Sequence, residues 1–170
     1  MVKRTIYISQ PVTGEEEWQA IKDPIMSGWL TAGPRVREFE EQFAERHKVK
    51  HAIAVTSATT ALHLALVALE IKPGDEVIVP AFTWVATANV VEYCGAKVVF
   101  ADIDPKTFNL DPKSVESLIT GNTRAIIAVH LFGYCADMQA LKNVAGDIPI
   151  VEDAACAAGA ALNGVPAGGL

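Results

Sequence analysis

The stretch Ala54 to Leu69, AVTSATTALHLALVAL, reads as a short apolar strand that runs into a polar turn, Ser57-Ala58-Thr59-Thr60, and out into an apolar helix. The first N–H groups of a helix starting there have no partner inside it, and they lie beside hydroxyls at the positive end of the helix dipole. That is an anion site, and phosphate is its usual guest. The simpler reading is that Ser57 or Thr59 only caps the helix.

Downstream, short apolar runs alternate with helical ones. Strands are expected at Ala52 to Thr56, Glu76 to Val79, Lys97 to Ala101, Arg124 to Val129 and Ile148 to Glu152. Helices are expected at Thr59 to Glu70, Val85 to Cys94, Pro112 to Ile119 and Met138 to Ala145, with Pro73-Gly74-Asp75, Gly95, Gly121-Asn122 and Gly146 as punctuation. Runs such as VIV, VVF and AIIAV are apolar on both faces and need cover on both. The fold class is therefore α/β, a three-layer sandwich around a mainly parallel sheet.

Upstream, Glu15 to Ser27 reads as a helix with Trp18, Ile21 and Ile25 on one face, to be kinked or ended early by Pro24. Trp29 to Arg35 is a loop, and a second helix runs from Pro34 to His47 with Val36, Phe39 and Phe43 on one side. Residues 1–50 thus form a helical segment and 51–170 the α/β part.

The 170 residues are 51% hydrophobic and 20% charged, with a formal charge of -6. An acidic balance without a Lys/Arg cluster argues against nucleic acid or an anionic membrane as partner. No apolar run is long enough to span a bilayer, and Met1 to Thr5 leads to Gln10-Pro11, not into a signal-peptide core. Cys94, Cys135 and Cys156 are odd in number and far apart, which suits free thiols in a reducing cytoplasm better than disulfides or a metal site.

In an open parallel sheet, ligands sit beyond the carboxyl ends of the strands. The residues there are Ser57 to Thr60, Pro80 to Trp84, Asp102 to Asp104, His130 to Gly133 and Asp153 to Cys156. They offer a phosphate turn, a large aromatic and an acid directly after a strand. Those parts suit pyridoxal 5′-phosphate: Trp84 to stack on the ring and Asp153 to face a protonated ring nitrogen. Alternatively, Trp84 is a core aromatic, and Asp153 a helix cap or magnesium ligand. A dinucleotide site is disfavoured because SATTA has no glycine, and no Gly-Lys-Ser/Thr occurs. His63 reads as packed core, while His130 is open between catalysis and a structural bond. Asp102 and Asp104 read as turn and cap chemistry, and Glu152 should face away from Asp153.

Further motifs join these. SGWLTAGPRVREFEEQFAE (Ser27 to Glu45), SATTALHLAL (Ser57 to Leu66), PGDEVIVPAFTWVATANVV (Pro73 to Val91), DIDPKTFNLD (Asp102 to Asp111), VHLFG with ADM (Val129 to Met138) and VEDAACAAGA (Val151 to Ala160) follow in order. Together they resemble the DegT/DnrJ/StrS sugar aminotransferases, fold-type-I pyridoxal-phosphate enzymes, over nearly the whole chain. The resemblance implies that Ala58, Thr59 and Thr60 lie at the cofactor phosphate, that Trp84 stacks on the ring and that Asp153 pairs with its nitrogen. Cys156 stands where the family usually has a Gln that contacts the ring's phenolic side, and a thiol is a weak donor. Ala158 replaces a frequent His and Ala58 a frequent Gly. The loop holding Trp29, Thr31 and Gly33 resembles a segment on the substrate side.

The family's Schiff-base lysine lies in a serine-phenylalanine-histidine segment beyond glycines resembling Gly168-Gly169, and no lysine of this chain stands in such a motif. The expectation is therefore the N-terminal part of a large cofactor-binding domain, inactive by itself, lacking that segment and a smaller C-terminal domain. The activity implied is transfer of an amino group from an amino acid, with glutamate as the expected donor, to a nucleotide-linked keto sugar by a homodimer. A related sugar dehydratase and a noncatalytic remnant serving as an interaction module are the alternatives.

Overall fold

The computed structural model describes residues 10–170, so the reading of the amino end at Met1 to Thr5 lies outside the described residues. These fall into two compact units, divided after Phe39.

In the first unit, α1 spans Glu15–Ser27. Its start is fixed by the Gly14 N–H, which donates to Glu17 Oε2 at 2.6 Å, and by three glutamates in the first turn facing the positive dipole end. The helix does not end early at Pro24. Pro24 removes one donor, the N–H that would reach the Ala20 carbonyl, and the helix carries on for a further turn. It stops at Gly28, whose φ of 73° favours glycine and whose N–H closes on the Ile25 carbonyl at 3.2 Å. The second helix, α2 (Pro34–His47), opens with proline at its first position, as expected.

The second unit holds a four-stranded sheet of β1 (Glu76–Pro80), β2 (Lys97–Ala101), β3 (Thr123–Val129) and β4 (Ile150–Asp153), in the order β2-β1-β3-β4 and parallel throughout. Alternate residues of each strand serve opposite layers. Val77, Val79, Ala125 and Ile127 pack with Leu62 and Leu66 of α3 (Ala58–Ala68) and with Val90 and Val91 of α4 (Ala86–Tyr93). Ile78, Ile126 and Ala128 pack on the other side, with Val115 of α5 (Pro112–Leu118) and with Met138 and Leu141 of α6 (Met138–Ala145). The result is the expected three-layer sandwich. A hairpin follows, β5 (Ala161–Leu162) with β6 (Val165–Pro166), turned by Asn163 and Gly164 at φ 52° and 79°.

One expected strand is absent. Ala52 to Thr56 has no ladder partner among the described residues, and the Ala54 N–H donates instead to Glu40 Oε1 at 2.8 Å. Apolar alternation favours extended backbone, but a strand exists only where a neighbour completes its hydrogen bonds. No helix of the described residues is long and apolar enough to cross a membrane.

Candidate functional site

The sheet reverses its winding at the β1/β3 boundary: β1 leads to β2 on one side and β3 to β4 on the other. Ligand crevices in such sheets open at that point, beyond the carboxyl ends. The loop after β1, the His130 turn after β3 and the end of β4 all border it.

At the start of α3, Ser57 is the N-cap, and its Oγ accepts the Thr60 N–H at 3.2 Å. The capping reading of Ser57 therefore holds, and it takes Thr60 N–H out of the anion site. The N–H groups of Ala58 and Thr59 remain without intrahelical partners. The Thr60 hydroxyl lies 3.1 Å from Ser57 Oγ and 3.2 Å from Thr56 Oγ1, a short hydroxyl chain along the turn.

Trp84, between β1 and α4, is 76% exposed, so it takes no part in the core of the described residues. Asp153, the last residue of β4, is only 8% exposed. Val151, two residues earlier on the same strand, packs into the α3/α4 layer, so Asp153 projects to that face too. Both of its oxygens are held. Oδ2 accepts the Thr87 hydroxyl at 3.1 Å, and Oδ1 accepts the Ala155 N–H at 3.2 Å. Thr87 also donates its N–H to the Trp84 carbonyl at 3.2 Å. The α3/α4 side of the sheet thus carries a buried acid with a fixed carboxylate, tied through Thr87 to the backbone of an exposed aromatic, and the helix α3 with its open N-terminus. That set fits a planar, phosphorylated, cationic ring.

Glu152 points to the opposite face, as alternation requires. Its Oε2 lies 2.8 Å from His130 Nε2 and accepts the Gly168 N–H at 2.7 Å. His130 is fully buried, and its Nδ1 accepts the Ala136 N–H at 3.0 Å, so the proton sits on Nε2 and points at Glu152. Burial alone would raise the Glu152 carboxyl. The bonds from His130 and Gly168 outweigh it and hold the group below its ordinary value. His130 is therefore a structural tie.

Asp104 accepts the N–H groups of Lys106 and Thr107, and Asp111 caps α5, as turn chemistry predicts. His63 is half-buried, edge-on to Tyr93 at 5.6 Å between ring centroids, so it flanks the core instead of filling it. Cys156 is exposed, and all three cysteines are free. In the first unit, Trp29, Thr31 and Gly33 line a cavity of about 210 Å³ together with Arg35. The Trp29 indole sits over Gly33, 2.3 Å from where a Cβ would stand, and donates to the Ala32 carbonyl at 3.2 Å. Any side chain at position 33 would displace it.

Sequence reasoning missed Thr87, and it read Asn109 only as turn and cap chemistry beside Asp104 and Asp111. The buried Asn109 amide donates to the Tyr134 carbonyl at 2.8 Å, and its oxygen accepts the Leu131 N–H at 3.0 Å, stitching the loops after β2 and β3. Nothing local marks these long-range bonds, because the partners are distant in the chain.

The profile of the DegT/DnrJ/EryC1/StrS aminotransferase family matches residues 11–170. The chain belongs to this family. Among DegT-family proteins, GDP-perosamine synthase of Caulobacter vibrioides is 46% identical over 168 residues, covering 97% of this chain and 45% of that protein. The structure of 3-amino-5-hydroxybenzoic acid synthase superposes with a TM-score of 0.91 at 38% identity, over 98% of this chain and 44% of the other. GDP-4-keto-6-deoxymannose-3-dehydratase, holding a trapped PLP-glutamate geminal diamine, gives 0.90 at 33% identity, over 96% and 45%. The chain spans less than half the length of these relatives. Membership of the DegT family, with a PLP-bearing relative of the same fold, implies pyridoxal phosphate as cofactor.

Proposed function

We propose that this chain forms part of the large, cofactor-holding domain of an aminotransferase that passes an amino group from glutamate to a nucleotide-linked keto sugar, in a cytoplasmic homodimer making amino sugars. The observation that carries the reading is the buried Asp153 carboxylate, held at both oxygens on the face that also bears the open start of α3. When bound, pyridoxal phosphate supplies the electron sink for the transfer.

The chain's own residues divide the work. The N–H groups of Ala58 and Thr59 and the hydroxyls of Thr59 and Thr60 hold the phosphate. Trp84 covers the ring and keeps water from it. Asp153 faces the ring nitrogen and keeps its proton in place, the condition for the ring to draw electrons. Cys156 lies toward the ring's phenolic side, where its thiol is a weak donor. Trp29, Thr31 and Gly33 belong to the substrate side. The likeness to GDP-perosamine synthase supports a nucleotide-linked sugar as acceptor, and the likeness to a dehydratase supports a second reading, loss of a sugar hydroxyl on the same cofactor.

Two measurements test this. Titration of the chain with pyridoxal phosphate should quench tryptophan emission saturably, and Trp84→Phe should remove most of the quench. No saturable change up to about 1 mM, a range in which even weak specific binding registers, overturns the reading. In the protein that carries this sequence, glutamate and a nucleotide-linked keto sugar should give an amino sugar. A deoxygenated sugar that has gained no nitrogen would instead favour the dehydratase.

A further inference from the structure

We propose that Thr87 is a positioning residue for the cofactor ring, acting through Asp153; this rests on the cofactor reading above. Thr87 is fully buried in the first turn of α4, and one residue makes two bonds that matter there. Its hydroxyl donates to Asp153 Oδ2 at 3.1 Å across 66 residues of chain, and its N–H donates to the Trp84 carbonyl at 3.2 Å. The acid that faces the ring nitrogen and the backbone that presents the stacking indole are thereby tied to a single side chain.

The bond to Asp153 decides which way the carboxylate plane turns. With Thr87 on one oxygen and the Ala155 N–H on the other, the carboxylate has one orientation instead of several, and its lone pairs stay aimed where the ring nitrogen would lie. Removing the hydroxyl leaves Oδ2 unpaired in a site that is 8% exposed. The carboxylate then turns to find another donor. A purely structural threonine, filling space under the sheet edge, would be replaced by valine at no cost to the ring site, because the two side chains have the same shape.

The test compares Thr87→Val with Thr87→Ser and Asp153→Asn, using two probes: pyridoxal 5′-phosphate and its analogue with C–H in place of the ring nitrogen. Thr87→Val should weaken pyridoxal phosphate binding about tenfold, as loss of a bond to a charged group does, and Thr87→Ser should restore it. Binding of the analogue should be unchanged in Thr87→Val, since that ring offers Asp153 nothing. In an Asp153→Asn background, Thr87→Val should add no further loss. Equal loss for both probes, or no loss for either, overturns the inference while leaving the cofactor reading standing. Failure of the unsubstituted chain to bind pyridoxal phosphate overturns both.

Discussion

His130 Nε2 lies 2.8 Å from Glu152 Oε2, and the pair joins the end of β3 to β4 and, through the Gly168 N–H, to the segment after the β5–β6 hairpin. Asp153, next to Glu152 in the chain, serves the opposite face. Adjacent acids on one strand thus do separate tasks: one ties the fold and the other faces the proposed ligand.

The Glu152 carboxyl sits below its ordinary value of 4.5 in the folded chain. Its contribution to stability is therefore whole above that pH and is lost as the pH falls through the lowered folded value. Glu152→Gln should cost about 1–3 kcal/mol at pH 7, with the difference narrowing below pH 4. Urea unfolding at both pH values checks this. A difference that stays constant with pH would remove the carboxylate's charge from the account.

Asp153→Asn should weaken pyridoxal phosphate binding by about 10- to 100-fold, the range for a lost charge-assisted bond. Trp84→Ala should weaken it about three- to tenfold, the value of a stacking contact. Because Trp84 is exposed, its loss should leave folding stability within about 0.5 kcal/mol. Calorimetric titration and thermal melts separate the two effects.

Cys156 is exposed, whereas burial pushes the thiols of Cys94 and Cys135 up, with the Glu152 charge adding to Cys135. Iodoacetamide at neutral pH should label Cys156 first, since only thiolate reacts. Bound cofactor should slow that labelling. Peptide mapping after a short pulse shows the order, and Cys94 or Cys135 reacting first would contradict it.

Leu66 is fully buried between α3 and the sheet, while Leu64, on the same helix, is 49% exposed. Leu66→Ala should cost about 2–5 kcal/mol and Leu64→Ala about 0.5. Equal costs in denaturant unfolding would mean that the α3 face is not the core face.

The sandwich was legible because its strands carry the evidence themselves. Val77, Ile78 and Val79 are apolar on both faces, and only a strand covered twice needs that. Ala52 to Thr56 looks the same locally and is no strand, because pairing depends on a neighbour and not on its own pattern. The early end expected at Pro24 does not occur, because a missing donor near a helix's end costs little enough for the last turn to form. Trp84 and Asp153 could be read as ligand contacts or as core and cap; exposure sets Trp84 apart from the core of the described residues, and Asp153 accepts a local N–H, from Ala155, as a cap does. Thr87 was invisible, since a threonine in a first helical turn is ordinary until β4 is brought alongside. The Asn163-Gly164 hairpin was missed although its turn carries a plain local signal.

β1 and β3 lie side by side although β2 and α5 separate them in the chain, and no two strands of the main sheet are joined by a hairpin. The ring site inherits this spacing, since Thr87 meets Asp153 only across 66 residues. During synthesis, which proceeds from the amino end, Trp84 and Thr87 emerge long before the acid they are to serve. A nascent chain halted before Ile150 carries Trp84 and the Ser57 to Thr60 turn but not Asp153, the carboxylate proposed for the ring. On the proposed assignment, the carboxylate for the ring nitrogen takes its place only after the fourth strand has left the exit tunnel and docked.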